Sequence, residues 1–420
     1  MNVPFFRPSI GEAEVAAVAD VLRSGWLTTG PRAAAFEEAF ARYVGAPHAV
    51  SVNSCTAALH LALEALGVGP GDLVLVPALT FTATAEAARY VGAVPVFVDC
   101  EPDTLCMDPE AARATLEAIA RGRPTAGLAP PYGPVRALVP MHYAGQMADV
   151  DALGALAREH GAWMVEDAAH TLPAFTRAGP GAPWRAVGTT ADVTCFSFYA
   201  NKCITTGEGG MAVTANEAVA ERMRVLRLHG VTRDAWTRDT ASDAESWEYE
   251  VVTLGHKYNL TDMAAALGVE QLRRADELWE SRRRVAEMYR RALGVPGVEL
   301  PREHPDRRHA WQLHVVRLDP EVWRRGRDAV VSGLRARGIA AAVHWRPLPL
   351  EPCWRRTLRH RPGLFPVAEA EWTRLVSLPF FPSMSPEEVN AVAGALADLL
   401  DQEEAGAEGV LAARHAAGAG

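Results

Sequence analysis

Residues 49–63 read AVSVNSCTAALHLAL, a short apolar run followed directly by a helical pattern. The run Ala49–Val52 is typical of a strand, and Thr56–Leu66 carries leucines at helical spacing. Between them, Ser54 marks the start of a helix, where backbone N–H groups and the helix dipole can bind a phosphate. The same residues also fit a helix that Ser54 simply caps, so both interpretations stay open here.

The succession of strand and helix continues to about residue 214. Further strands are predicted at Leu73–Val76, Val94–Val98, Leu138–Met141, Trp163–Val165 and Val193–Phe198, and a further helix at Val150–His160. Apolar strands that alternate with helices indicate an α/β fold with a mostly parallel sheet covered on both faces. Ligands of such folds bind beyond the carboxyl ends of the strands, so catalytic residues are expected there.

Composition and charge argue against several classes of function. A net charge of -9 is unsuited to a nucleic-acid partner, which requires a basic surface. No apolar run reaches the roughly 18 residues of a membrane span, and the N-terminus lacks the features of a signal peptide. The six cysteines have no metal-like spacing and suit a reducing compartment. We therefore expect a cytoplasmic protein without a metal, nucleic-acid or membrane partner.

The 420 residues suit one large and one smaller domain. We predict a large domain with an N-terminal segment over 1–260, followed by a linking helix and a small α/β domain over 261–401. The linking helix runs to about Leu293, and strand-like runs follow at Leu313–Leu318 and Ile339–His344. Composition predicts surface loops at 121–136 and 232–246 and a disordered tail at 402–420.

Glu166-Asp167-Ala168-Ala169-His170 directly follows the apolar run Ala162–Val165. A carboxylate at the tip of a buried strand costs several kcal/mol unless a positive group meets it. A protonated pyridine nitrogen meets that need, and Asp167 in turn keeps such a ring cationic. His170 lies one turn further along, near the ring. An ordinary turn with an exposed carboxylate is the alternative.

Lys202 is the last residue of FSFYANK at 196–202, which begins in the predicted strand Val193–Phe198. The glycine-rich segment TTGEGG follows at 205–210. A lysine in this position can form an imine if burial or a neighbouring cation lowers its pKa. The glycines leave backbone room for a flat ligand. The alternative is an ordinary surface lysine, since most lysines are solvated charges. A fourth polar segment, KYNLTD at 257–262, begins the long helix and fits a helix cap.

Together these segments resemble the DegT/StrS family of sugar-nucleotide aminotransferases over about residues 4–400. The matching pieces are WLTTGP at 26–31, SCTAALHLAL at 54–63, GVGPGDLVLVPALTFTAT at 67–84, GAVPVFVDC at 92–100, VEDAAH at 165–170, FSFYANK at 196–202, TTGEGGMAVT at 205–214 and KYNLTD at 257–262. Several motifs in the same order are far more specific than any one of them. The resemblance implies fold type I of the pyridoxal-phosphate (PLP) enzymes, with a mostly parallel seven-stranded sheet and a smaller C-terminal α/β domain.

The resemblance also assigns roles to three catalytic candidates. Lys202 matches the lysine that carries PLP covalently and moves protons during the reaction. Asp167 matches the partner of the pyridine nitrogen. His170 stands where relatives often have glutamine, a residue that contacts the phenolic oxygen or the ring.

Five further positions match cofactor-binding residues of the family. Cys55, Thr56 and Ser197 resemble phosphate ligands. Cys55 departs from the glycine that many relatives have, and the resemblance implies that it binds through its backbone N–H, for which the side chain matters little. Phe81 matches an aromatic residue that stacks on the ring. Asn259 matches a residue that reaches the cofactor phosphate of the neighbouring subunit. This match implies a homodimer with shared active sites.

The C-terminal pieces HAWQLHVVRL at 309–318, GIAAAVHW at 338–345 and SLPFFPSM at 377–384 resemble the branch that makes 4-amino sugars. Candidate substrate contacts are Thr28, Tyr258 and His344, although His344 and Trp345 fit core packing equally well. The branch implies transfer of an amino group from glutamate to a dTDP- or UDP-linked 4-keto-6-deoxyhexose. The cofactor would pass through pyridoxamine phosphate (PMP).

Four alternatives remain beside this interpretation. The amino group could go to a 3-keto sugar instead. Dehydratases of the same fold replace the lysine with histidine or add clustered cysteines, whereas Lys202 is present here and the cysteines are scattered. A non-catalytic PLP-binding regulator has no need of Asp167, Lys202 and a sugar cleft together. An amino-acid aminotransferase needs an arginine for the substrate carboxylate, and the many arginines leave that option open.

Overall fold

The computed structural model describes residues 1–233, 235–240 and 248–417. Its strands are β1 (His48–Val52), β2 (Leu73–Pro77), β3 (Val94–Val98), β4 (Val135–Leu138), β5 (Trp163–Asp167), β6 (Phe175–Thr176), β7 (Arg185–Ala186), β8 (Val193–Ser197), β9 (Gly210–Thr214), β10 (Val298–Glu299), β11 (Arg307–Arg308), β12 (His314–Leu318) and β13 (Leu375–Leu378). Its α-helices are α1 (Glu12–Ser24), α2 (Pro31–Val44), α3 (Cys55–Ala65), α4 (Thr82–Tyr90), α5 (Pro109–Ala120), α6 (Val150–Glu159), α7 (Glu217–Leu226), α8 (Ala235–Thr240), α9 (Asp262–Arg273), α10 (Ala275–Ala292), α11 (Arg327–Ala336), α12 (Pro352–Leu358), α13 (Pro366–Trp372) and α14 (Pro386–Ala417).

A seven-stranded sheet has the order β1-β9-β8-β5-β4-β2-β3. β9 runs antiparallel to β1 and β8, whereas the other neighbouring strands are parallel. Every residue of β2 and β9 is buried. Because successive side chains point to opposite faces, this burial requires cover on both sides of the sheet. The predicted α/β fold with a mostly parallel seven-stranded sheet is confirmed.

The turn from β1 into α3 places a helix N-terminus at the edge of the sheet. The Ser54 hydroxyl accepts a hydrogen bond from the Ala57 N–H at 3.1 Å and so caps α3. Gly210, the first residue of β9, lies against this turn, and a Cβ added there would lie 2.5 Å from the Ser54 carbonyl carbon. Glycine at this position therefore allows β9 to approach the start of α3 so closely.

Three elements differ from their predictions. The strand expected at 138–141 is β4, displaced toward the N-terminus, because Pro140 lacks the N–H that a longer ladder needs. The long helix predicted from Thr261 is divided into α9 and α10 at Arg274. The run 339–344 is no continuous strand and makes isolated bridges instead.

A second, three-stranded antiparallel sheet has the order β10-β12-β13. Its buried side chains form a separate hydrophobic cluster with residues of α10, α11 and α14. Val3 belongs to this cluster and pairs with Ile339, although we assigned residues 1–260 to the large domain. We propose that the residues around Val3 belong to the smaller domain.

Asp262, the first residue of α9, connects two distant parts of the chain. Its buried carboxylate accepts hydrogen bonds from the N–H groups of Gly30 at 2.8 Å, Arg32 at 3.1 Å and Ala33 at 2.9 Å. These N–H groups belong to the start of α2 and have no partner within that helix. Asp262 therefore caps α2 from more than two hundred residues away.

The C-terminal helix α14 continues to Ala417, through the segment beginning at 402 for which composition predicts disorder. The alanines and glutamates that suggest disorder also have high helix propensity. The predicted loop at 232–246 contains α8, and its residues 234 and 241–246 lie outside the described residues. Residue 247 and the final residues 418–420 also lie outside them. Within the described ranges, no helix combines the length and apolar character needed to cross a membrane.

Candidate active site

A cavity of about 480 Å³ opens where β5 and β8 end and α3 begins. The two strands are parallel neighbours, so their last residues lie at the same edge of the sheet. Eight residues predicted from the sequence line this cavity: Cys55, Thr56, Phe81, Asp167, His170, Ser197, Lys202 and His344. The volume is in the range of small-molecule sites.

The start of α3 forms one end of the cavity. The backbone N–H groups of Cys55 and Thr56 are the first of the helix and have no acceptor within it. The Cys55 thiol donates to the Cys195 carbonyl at 3.4 Å, and burial raises its pKa well above the ordinary value. Cys55 therefore offers its N–H rather than a thiolate. With Ser197 nearby, this end of the cavity suits a phosphate.

Asp167 is buried, with 3% of its surface exposed. Its carboxylate accepts hydrogen bonds from the Thr84 hydroxyl at 2.7 Å and from the Ala169 N–H at 3.1 Å. Burial nevertheless raises the pKa of Asp167, although these hydrogen bonds and the charge of Lys202 act in the opposite direction. A cation bound against the carboxylate therefore relieves an electrostatic cost.

The chain contains two lysines, Lys202 and Lys257. Lys202 lines the cavity, whereas Lys257 donates a hydrogen bond to Asn259 elsewhere. Burial lowers the pKa of Lys202, although the charge of Asp167 opposes the shift. A lowered pKa increases the fraction of neutral amine, which is the nucleophilic form. Lys202 is thus the lysine that can react with a carbonyl group in this cavity.

His170 is buried beside Trp345, with ring centroids 5.2 Å apart. Burial lowers the pKa of His170 well below the ordinary value, and the charge of Lys202 acts in the same direction, so the ring is neutral. Its Nδ1 has no hydrogen-bond partner among the described residues. Phe81 is 52% exposed, and its ring centroid lies 5.8 Å from that of Trp345. These rings form an aromatic wall with an orphaned polar atom that a ligand can satisfy.

Two residues of the site were missed in the sequence. Thr84 supports Asp167 and shares a hydrogen bond of 2.7 Å with Thr80. Gln312 lines the cavity and donates to the Asn201 carbonyl at 2.7 Å. Both lie inside pieces that carry the family resemblance. No spacing rule distinguishes a threonine or glutamine that contacts another site residue, so their roles required the structure.

Asn259, Tyr258 and Thr28 do not line this cavity. Asn259 lies beside a separate cavity of about 170 Å³ and donates to the Thr29 hydroxyl at 2.6 Å. Thr261, not Asn259, caps α9. The segment at 257–262 thus contains a helix cap, as its sequence suggested, but the capping residue is Thr261. Within one chain, the structure does not bring these three residues to Lys202.

The cavity fits PLP by the chemistry of its residues. Free N–H groups at the start of α3 suit the phosphate, and the carboxylate of Asp167, whose pKa burial raises, suits a protonated pyridine nitrogen. The unpartnered Nδ1 of His170 suits a polar ring substituent, and the amine of Lys202 suits the aldehyde. Each polar group of the cofactor thus has a matching residue.

Comparison with known proteins gives independent information. Residues 8–397 match the model of the DegT/DnrJ/EryC1/StrS aminotransferase family. The chain is 40% identical over 400 residues to the spore coat polysaccharide biosynthesis protein SpsC of Bacillus subtilis (strain 168), with 95% of this chain and 97% of SpsC covered.

Solved structures are similar over nearly the whole chain. Spr1654 of Streptococcus pneumoniae, assigned as a sugar aminotransferase, has been solved in PLP and PMP forms. Each form has a TM-score of 0.83 and 31% identity, covering 96% of this chain and 100% of Spr1654. The sugar aminotransferase CalS13 of Micromonospora echinospora has a TM-score of 0.78 and 29% identity, covering 94% of this chain and 99% of CalS13.

The family match covers most of both hydrophobic clusters and includes every residue of the cavity. It confirms the family, the aminotransferase chemistry and the cofactor that the sequence motifs predict. The chain therefore belongs to the DegT/DnrJ/EryC1/StrS aminotransferase family and uses pyridoxal phosphate.

Proposed function

We propose that this aminotransferase moves an amino group from glutamate to the 4-keto carbon of a nucleotide-linked 6-deoxyhexose. The observation that carries the transamination chemistry is the pairing of Lys202 and Asp167 in one cavity, each with a pKa displaced by burial. Relatives named as sugar aminotransferases and as a polysaccharide biosynthesis protein support a sugar acceptor. The preference for carbon 4 rests on the C-terminal motifs.

The side chains divide the work of this reaction. PLP, when bound, supplies an electron sink for the carbon that loses its proton. The Asp167 carboxylate holds the proton on the pyridine nitrogen, and the N–H groups at the start of α3 bind the phosphate. Lys202 accepts the proton from the α-carbon of glutamate and later donates one to carbon 4 of the sugar.

The C-terminal motifs contribute the wall of the cavity that faces the acceptor in this proposal. Gln312, His344 and Trp345 all line the cavity, and each lies in a piece that resembles the 4-amino-sugar branch. The His344 Nδ1 forms a hydrogen bond of 2.7 Å with the Ser377 hydroxyl, and burial lowers its pKa to about 4. A neutral, oriented imidazole can hydrogen-bond a sugar hydroxyl without carrying charge.

A panel of acceptors tests the proposed reaction. The PLP-loaded protein is incubated with glutamate and with dTDP- and UDP-linked 4-keto and 3-keto sugars, and oxoglutarate and aminated product are measured. We expect product from a 4-keto sugar with kcat/KM at least ~100-fold above that for the 3-keto isomers. Preference for a 3-keto sugar contradicts the position of amination. Glutamate turnover only with a 2-oxo acid as acceptor contradicts the sugar substrate.

We further propose a homodimer in which Asn259 reaches the cofactor phosphate of the partner. Lys202→Ala and Asn259→Ala variants are each expected to be nearly inactive, but random mixed dimers contain one site with both residues intact. Subunit exchange should therefore restore at most roughly a quarter of wild-type activity. The measurement is activity after mixing, with exchange followed by a labelled subunit. A monomer in solution, or exchange without recovery, contradicts the shared site.

A further inference from the structure

His60, Glu64 and His256 converge outside the cofactor cavity. The His256 Nε2 lies 2.8 Å from the Glu64 Oε2, and the His60 Nε2 lies 3.8 Å from the same oxygen. The three ligand atoms all lie within 4.8 Å of one another. His60 and Glu64 are one helical turn apart on α3, while His256 comes from the segment that precedes α9.

We propose that this cluster binds a divalent transition-metal ion, with Zn²⁺ the best matched. Two imidazole nitrogens, one carboxylate oxygen and a water form a common tetrahedral set for Zn²⁺. Bonds of about 2 Å place such ligands roughly 3.3 Å apart, between the two distances observed here. Shifts of about half an ångström bring both nitrogen–oxygen distances to this value. The two imidazole nitrogens, which lie within 4.8 Å of each other, then approach by about 1.5 Å at most.

The rings are already oriented for such binding. The His60 Nδ1 forms a hydrogen bond of 3.2 Å with the Tyr258 hydroxyl, which leaves its Nε2 directed at the cluster. That Nε2 lies 3.8 Å from the Glu64 Oε2, beyond hydrogen-bond reach. The ring of His256 stacks on Tyr258 with centroids 4.9 Å apart and planes 12° apart. A hydrogen bond to the second ring nitrogen is the usual support for a metal-bound histidine.

The exposure of the three side chains also suits a metal ion. The side chain of His60 is 8% exposed, whereas those of Glu64 and His256 are 27% and 30% exposed. The buried side of the site is thus fixed by protein, and the open side admits the ion and a water.

A metal ion here would join α3 to the segment that carries Asn259. The backbone of His256 is held in place, since its N–H donates to the Leu226 carbonyl at 2.7 Å and its carbonyl accepts from the His229 N–H at 2.9 Å. The sequence gave no reason to expect a metal. The cysteines have no metal-like spacing, and His256 is far from His60 and Glu64 in the sequence. The role inferred is structural: the ion would fix the second half of α3 relative to residues 256–259.

Equilibrium dialysis of the PLP-loaded protein against Zn²⁺, followed by metal analysis, tests the site. The experiment uses a Cys353→Ser background, because Cys353 is exposed and could bind zinc by itself. We expect one Zn²⁺ per chain with micromolar or tighter affinity and a higher melting temperature. His256→Ala and Glu64→Gln should each weaken binding at least ~100-fold. The control His160→Ala, at the end of α6, should bind as the background does.

Melting curves of the metal-free variants show whether they remain folded, and Glu64→Gln keeps the size of the side chain. Substitution with Co²⁺ should give the intense visible absorption of a tetrahedral site, and both cluster variants should lose it. Sub-stoichiometric binding by the background protein overturns the proposal. Retained affinity in either cluster variant, or lost affinity in His160→Ala, also overturns it by placing the metal elsewhere.

Discussion

Lys202→Ala should reduce turnover by at least ~10⁴-fold, because the variant loses both the covalent attachment of PLP and the base that moves the substrate proton. Lys202 is the lysine of the cavity, and burial lowers the pKa of its amine. We therefore expect the purified variant to lack the absorption band of the lysine-linked cofactor. Steady-state turnover and the visible spectrum are the two measurements.

The two-lysine composition provides a matched control. Lys257→Ala removes the other lysine and should keep the spectrum of the lysine-linked cofactor, since Lys257 lies outside the cavity. After borohydride reduction of the wild-type protein, peptide mapping should find the cofactor adduct on Lys202. An adduct on Lys257 or on the N-terminal amine contradicts the assignment.

Asp167→Asn should reduce turnover by at least ~100-fold in the PLP-loaded protein, the scale of losing one preorganised electrostatic partner. The amide keeps the shape and the hydrogen bond from Thr84 or Ala169, but it carries no charge to hold the pyridine proton. The pKa of the bound ring nitrogen should fall accordingly. A pH titration of the cofactor absorption and the steady-state rate test this expectation. A near-normal rate contradicts the proposed role.

Two comparisons separate this chemistry from a loss of fold. Burial raises the pKa of Asp167 in the folded protein, so its ionised form opposes folding above the ordinary carboxyl pKa. At neutral pH, cofactor-free Asp167→Asn should therefore melt no lower than the cofactor-free wild type. Thr84→Val keeps the charge and removes one hydrogen bond, so a smaller loss of roughly tenfold is expected.

Local patterns were sufficient for the core of this fold. Apolar runs predicted five strands of the main sheet within about two residues, since buried parallel strands are continuous in apolar character. β9 was not predicted as a strand, and its antiparallel direction depends on pairing with β1 and β8. The site residues at strand ends were also identifiable, because they lie inside contiguous motifs.

Features that depend on distant contacts could not be predicted. His60 and His256 are almost two hundred residues apart, and neither lies in a metal-binding motif. No proline or glycine lies at Arg274, where the long helix breaks, so the sequence contains no signal for the break. Thr84 became part of the site only when its hydroxyl was seen to contact Asp167. Side-chain contacts between remote segments leave no periodic pattern in the sequence, so they cannot be predicted from it.

The capping of α2 by Asp262 has a consequence for synthesis of the protein on the ribosome. The first N–H groups of α2 lack their hydrogen-bond acceptor until Asp262 is translated, 232 residues after Gly30. At typical elongation rates of 5–20 residues per second, that interval is roughly 10 to 50 s. For most of this time Phe36 and Phe40 of the helix lack their core partners Phe196 and Phe198, which have not yet been translated. Co-translational binding by a chaperone is therefore most useful to the nascent chain in this interval.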